Sequence, residues 1–153
     1  MKKITNFEII PGKGFGNLFF GMNYEEVINM LGKPDEVIDS EEDDLDEVYA
    51  DSLTVFYDEL GVAMFFEKIE ENGPMTLQSL DIEITESTIF GKKLFEMPKN
   101  ELIEFIEQQT KEKPEIEHDE DFADFDIADF DNNGISLQFD KNELATITLY
   151  NIV

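Results

Sequence analysis

The sequence predicts an α+β fold made of two tandem repeats, each a helix followed by about four antiparallel strands, with the helices on one face of the sheets. Three observations carry this expectation. An ordered series of glycine, proline, aspartate and aromatic residues recurs some 75 positions downstream. Short segments in each copy alternate apolar and polar residues, as strands with one covered face do. One segment per copy places apolar residues at helical spacing behind a helix start signal. With 153 residues, 41% of them hydrophobic and 14 of them Phe, there is enough apolar material for one ordinary domain or two small ones sharing a core.

The repeat fixes the order of elements. Phe15-Gly16-Asn17-Leu18-Phe19-Phe20-Gly21-Met22 lines up with Phe90-Gly91-Lys92-Lys93-Leu94-Phe95-Glu96-Met97, and Glu26-Val27-Ile28 with Glu101-Leu102-Ile103, at an offset of 75. Lys33-Pro34-Asp35 matches Lys113-Pro114-Glu115 at offset 80, so the second helix is the longer. Tyr57-Asp58 through Gly61, Val62, Met64 and Phe66 matches Phe130-Asp131 through Gly134, Ile135, Leu137 and Phe139 at offset 73. The division falls at residues 1–86, a first repeat with an N-terminal strand, and 87–153, a second repeat; the two are expected to form one compact unit.

In the first repeat Asn23 caps a helix whose apolar stripe is Tyr24, Val27, Ile28 and Leu31, with Glu25 and Glu26 near its positive end. Gly32 and Pro34 stop it. The second helix opens with Pro98 in its first turn, runs through Leu102, Ile103, Phe105 and Ile106, and ends before Pro114. Strands are expected at 36–38, 53–57, 62–67 and 76–84, and again at 115–117, 122–130, 135–140 and 144–150. The segments 58–61 and 131–134 read as hairpin turns. If Val62, Met64 and Phe66 face the core, the opposite face presents Phe65, and by the same phase Tyr150 beside Thr146 and Thr148.

Charge excludes several functions. There are 37 acidic residues against 11 lysines, a net charge of −26, of which residues 1–76 and 77–153 carry −13 each. A field of this sign repels nucleic acid and anionic membranes, so neither is an expected partner. No cysteine is present, which removes disulfides, thiol nucleophiles and thiolate metal sites. Asn6, Glu8 and Pro11 interrupt any signal-peptide core, and no run is long enough for a transmembrane helix, so a cytoplasmic protein is expected.

Motifs for chemistry are weak. Asp129-x-Asp131-x-Asn133-Gly134 copies the opening of a calcium-binding EF-hand loop, but the twelfth position is Asp140 rather than Glu, a strand follows, and Tyr57-Asp58-Glu59-Leu60-Gly61 keeps the turn without the ligands. Gly12-Lys13-Gly14-Phe15-Gly16 lacks the remaining residues of a phosphate-binding fingerprint and reads as a flexible loop. His118, the sole histidine, lies in an acidic run without a Ser or Cys partner and reads as solvated. No catalytic, cofactor or metal residues are assigned, and the chain reads as non-enzymatic. Two acidic runs remain: Asp43, Asp44, Asp46 and Glu47 with their neighbours precede Tyr49, and Glu120 and Asp121 with theirs precede Phe122. Charge runs are ordinarily solvated faces, and they also steer a basic partner.

The stretch from Gly21-Met22-Asn23 through Glu25-Glu26 to Gly32-Lys33-Pro34-Asp35 resembles the helical signature of the small outer-membrane-assembly lipoproteins. The tandem layout is similar to that of the beta-lactamase inhibitor proteins. This resemblance implies a concave sheet that binds a protein; the lipid anchor and disulfides are not carried over, because cysteine is absent. The expected function is an immunity or inhibitor protein that neutralises a basic bacterial toxin, a nuclease being a natural target because its site must be positive. Asp43, Asp44, Asp46, Glu47, Glu120 and Asp121 would steer, and Tyr49, Phe65 and Tyr150 would anchor. The chain is expected to be a monomer or weak dimer. The alternatives are a general adaptor or assembly factor and a calcium-binding protein.

Overall fold

The computed structural model describes residue 4 and residues 6–39, 52–69, 73–118 and 124–152. In chain order its elements are β1 (Glu8–Ile10), β2 (Gly14–Phe15), β3 (Leu18–Phe19), α1 (Tyr24–Leu31), β4 (Glu36–Asp39), β5 (Ser52–Tyr57), β6 (Val62–Lys68), β7 (Met75–Ile82), β8 (Thr88–Ile89), β9 (Lys92–Lys93), α2 (Lys99–Thr110), β10 (Glu115–His118), β11 (Phe125–Phe130), β12 (Ile135–Asp140) and β13 (Glu143–Tyr150). The class is α+β, with two α-helices and mostly antiparallel strands among the described residues.

The period-two segments pair as one eight-stranded antiparallel sheet in the order β10-β11-β12-β13-β7-β6-β5-β4. Each half supplies a four-strand meander, and the last strands of the two meanders meet at the centre, with Ile147 opposite Ile82, Thr148 opposite Asp81 and Leu149 opposite Leu80. Two bulges interrupt the ladders. Gln78 is the extra residue opposite Phe65 and Phe66, and Ala145 the extra residue opposite Gln138 and Phe139.

One face of this sheet is dry. Val55, Met64, Phe66 and Leu80 from the first half, with Leu137, Phe139 and Leu149 from the second, are almost wholly buried on it. Each such side chain contributes roughly 1.5–3 kcal/mol of transfer free energy. Both helices touch this face. Tyr24 of α1 meets the Phe66 ring edge-on at 5.5 Å, and Lys99 of α2 lies 5.9 Å over the Phe139 ring. Asn23 and Glu26 close a capping box at the start of α1, satisfying two backbone donors reciprocally. Gly32 ends that helix, and its carbonyl accepts the Tyr57 hydroxyl at 2.7 Å. Burial in that position, with Tyr24 and Asp35 nearby, pushes the Tyr57 phenol up to about 12. Pro98 caps α2 from just outside rather than entering its first turn, and Leu102 and Ile106 are the buried positions of that helix.

A second sheet, of order β3-β2-β1-β8-β9, differs from the sequence expectation. The segment 12–16 is not a free loop: Gly14 and Phe15 form β2, paired with β1 on one side and β3 on the other, and Phe15 is fully buried. Strands of two residues are too short to carry an alternation. β1 runs parallel to β8, with Ile9 opposite Ile89. Both sheets therefore draw strands from either side of residue 86, and their buried residues join one hydrophobic cluster.

Candidate functional site

The face of the large sheet opposite the helices is built from the intervening residues of each strand. One row crosses all eight strands: Glu36, Phe56, Ala63, Asp81, Thr148, Ser136, Asp129 and Glu115 stand opposite one another in turn. In the neighbouring row Phe65 and Tyr150 both lie opposite Ser79, one on each side, so the small serine separates two half-buried aromatic rings. These two aromatics, expected on the open face from their phase alone, lie there on strands either side of β7.

Polar groups near the centre of the face hold one another. The Gln138 amide donates to Thr148 at 2.9 Å, Thr148 donates to Asp81 at 2.7 Å, and Thr146 donates to Glu83 at 3.3 Å. Asp81 and Glu83 remain exposed to solvent. They border a groove of about 350 Å³ with Phe56, Asp58, Ala63 and Gln138. Its walls combine apolar surface with carboxylates, an arrangement that accepts the stem and the charged head of a lysine or arginine.

Tyr150 is not free at its tip. Its hydroxyl donates to Asp131 Oδ1 at 2.8 Å, and burial followed by that bond drives the phenol well above its ordinary value. That bond fixes the position of the hydroxyl over the turn between β11 and β12. The same contact engages the turn that copies an EF-hand opening. Asp131–Asn133 form a single 3-10 turn between β11 and β12, and the Asn132 amide and Asn133 side chain donate to Glu112 at 2.9 and 2.8 Å. The segments 58–61 and 131–134 are hairpin turns, closing the Tyr57–Val62 and Phe130–Ile135 pairs.

The expected site residues Asp43, Asp44, Asp46, Glu47, Tyr49, Glu120 and Asp121 lie outside the described residues. Their neighbours are positioned: Asp39 ends β4, and Glu115 and Glu117 lie in β10, so the two runs lead from the two outermost strands of the sheet.

One cluster was not anticipated. Asp126 has the inward phase of β11, and its carboxylate accepts from Lys99 Nζ and contacts His118 Nδ1. The lysine hydrogen bond, seconded by the histidine, holds the Asp126 carboxyl below its usual range. The Asp126 side chain is only 9% exposed, while the histidine ring is 73% exposed. His118 is therefore wet, as expected, but tethered. The signal available in the sequence was a carboxylate at a core phase, which requires a cationic partner.

Comparison with protein-family models, with curated proteins and with solved structures found no match for this chain. Among the described residues, no helix is long and apolar enough to cross a membrane.

Proposed function

We propose that this chain is a non-enzymatic cytoplasmic binding protein that captures a basic protein partner on the open face of its sheet, as an immunity or inhibitor protein neutralises a basic toxin. The observation that carries the reading is the Phe65–Ser79–Tyr150 row beside the exposed carboxylates Asp81 and Glu83, on the sheet face opposite both helices. Aromatic anchors in a desolvated patch supply most of the binding energy in ordinary interfaces, and a charge of −26 supplies steering. The sequence adds the acidic runs at 41–47 and 115–121 to that charge.

Within the same reading the chain is a tandem duplication, with the concave protein-binding sheet of the beta-lactamase inhibitor proteins. The central register supports this. Matching Leu80 with Ile147 and Ile82 with Leu149 makes the Leu80–Leu149 and Ile82–Ile147 pairs exchange under a twofold rotation about the Asp81–Thr148 pair. The bulges at Phe65/Phe66 and Gln138/Phe139 fall at matched positions as well.

The experiment is affinity capture at low and high salt, followed by binding kinetics with the captured partner and an assay of that partner's own activity. A strongly basic partner, released by salt and inhibited when bound, is expected. Charge reversal at Asp43, Asp44 and Glu47 should slow association by roughly 10-fold or more with little change in dissociation, whereas Phe65→Ala should speed dissociation. An acidic partner indifferent to salt would refute the electrostatic reading; a bound but uninhibited partner would make the chain an adaptor.

A further inference from the structure

The two ends of the large sheet differ. At one end Ile38 and Asp39 of β4 are half-buried, while at the other all four residues of β10 are exposed. Among the described residues, β10 pairs only with β11, leaving its outer side without a strand. Such an edge presents backbone N–H and C=O groups on alternate residues, a template for another strand. Edges are commonly guarded by lysine; this one reads Glu-Ile-Glu-His.

Side-chain phase defines what fits. Glu115 lies opposite Asp129 and Glu117 opposite Ile127, which places both glutamates on the open face and makes Asp129 a third carboxylate one strand inward. Ile116, opposite Ala128, points to the other side and is 43% exposed. A strand added here would set two of its side chains beside Glu115 and Glu117 and an intervening one beside Ile116. Opposite charges across neighbouring strands attract and like charges repel, so the matching pattern is basic, apolar, basic. A second copy of this chain offers the wrong sign, because its own β10 would bring glutamate against glutamate.

We propose that β10 is a docking edge for an extended segment of a basic partner, which adds to the large sheet as a ninth strand and reads as alternating lysine or arginine with apolar residues. Backbone hydrogen bonds supply affinity, and the Glu115 and Glu117 carboxylates supply the choice of sequence. The inference rests on the reading of the chain as a binder of basic proteins and assigns one segment of that contact.

The test uses the full chain with three short peptides: one alternating lysine and valine, one alternating lysine and glycine with the same charge, and one alternating glutamate and valine. Amide hydrogen exchange, read residue by residue by NMR, reports where each binds. The lysine–valine peptide is expected to protect amides within 115–118, and the other two are not. Replacing both glutamates, Glu115→Lys with Glu117→Lys, should weaken that peptide about 10-fold or more; Glu115→Gln with Glu117→Gln should fall between, with unchanged circular dichroism in both variants. Equal binding of the lysine–glycine peptide, protection at β4 instead, or protection of 115–118 that grows with the concentration of the chain alone would each overturn the proposal. If the captured partner binds in a salt-dependent way while β10 stays unprotected by any peptide, the edge assignment falls and the binding function stands. If β10 is protected by the peptide and no basic partner exists, the reverse holds.

Discussion

Gly61 and Gly134 close two hairpin turns of the same length, yet alanine should cost different amounts at the two. Both have left-handed backbones, with φ of +82° and +66°. An L-residue there pays about 1–2 kcal/mol for the crowding of its Cβ. At Gly61 a new Cβ would sit 3.5 Å from Ile84 Cγ1, an ordinary contact, so the conformational cost is the whole of it. At Gly134 it would sit 2.2 Å from the Tyr150 carbonyl oxygen, far inside contact distance. The backbone there must open, and the Tyr150 N–H to Gly134 carbonyl bond of 3.0 Å opens with it. Losing that bond adds about 1 kcal/mol, for a total of about 2–3 kcal/mol. Urea unfolding followed by far-ultraviolet circular dichroism gives the comparison directly. Gly134→Ala is expected to be the more destabilised by at least the hydrogen-bond increment, with a correspondingly lower Tm. Equal losses, or a larger loss for Gly61→Ala, would refute the reasoning, because the carbonyl approach would then have no energetic consequence.

Three further outcomes follow from the same structure. Asn23→Ala removes the cap of α1 and should cost about 1 kcal/mol in urea unfolding, without changing the dependence on denaturant. Asp126 has a folded-state pKa below the unfolded value of 3.8, so the stability it contributes is present above that pH and is lost as pH falls through the folded value. The difference in urea midpoint between the protein and Asp126→Asn should therefore be full near pH 6 and shrink below about pH 4; a constant difference would exclude the ionic contact as its source. Finally, a chain of −26 repels itself, and added sodium chloride should raise the urea midpoint as screening shortens the field to about 10 Å near 0.1 M.

Much of the architecture was legible because the period-two alternation is strict where one face is dry. Val62, Met64 and Phe66, like Ile135, Leu137 and Phe139, announce both their strand and its inward side, and the two glycine turns announce the hairpins. What was not legible was short or remote. The small sheet uses strands of two or three residues, too short to show a period, and matching letters misled there: Phe15 is a buried strand residue, while Phe90, its match at offset 75, sits in the β8–β9 turn at φ 51° and is 40% exposed. Around that hairpin the structurally matched residue is Ile89, since Ile89 pairs with Lys92 as Phe15 pairs with Leu18.

The candidate face was legible in part for the same reason. Phase alone put Phe65 and Tyr150 on the open side, but their flanking of Ser79 depends on β7 pairing with β13, which no local pattern encodes. The Lys99–Asp126 contact joins residues 27 apart in different elements, and sequence spacing offers no rule for it. Charge runs declared themselves as composition; that β4 and β10 are the outermost of the described strands, from which the runs continue along the chain, came only from the strand order.

The central pairing of β7 with β13 also sets a timetable. During synthesis β7 precedes β13 by the 60 residues 83–142, so Leu77, Leu80 and Ile82 belong to a strand whose central side is vacant while those residues are added. The strand that ends in the middle of the finished sheet begins as an exposed margin, open to wrong neighbours until β13 arrives. Chains ending at Asp140 are expected to be cut by protease within 75–82, and chains that include β13 to resist, which makes β13 the strand that seals the centre of the sheet.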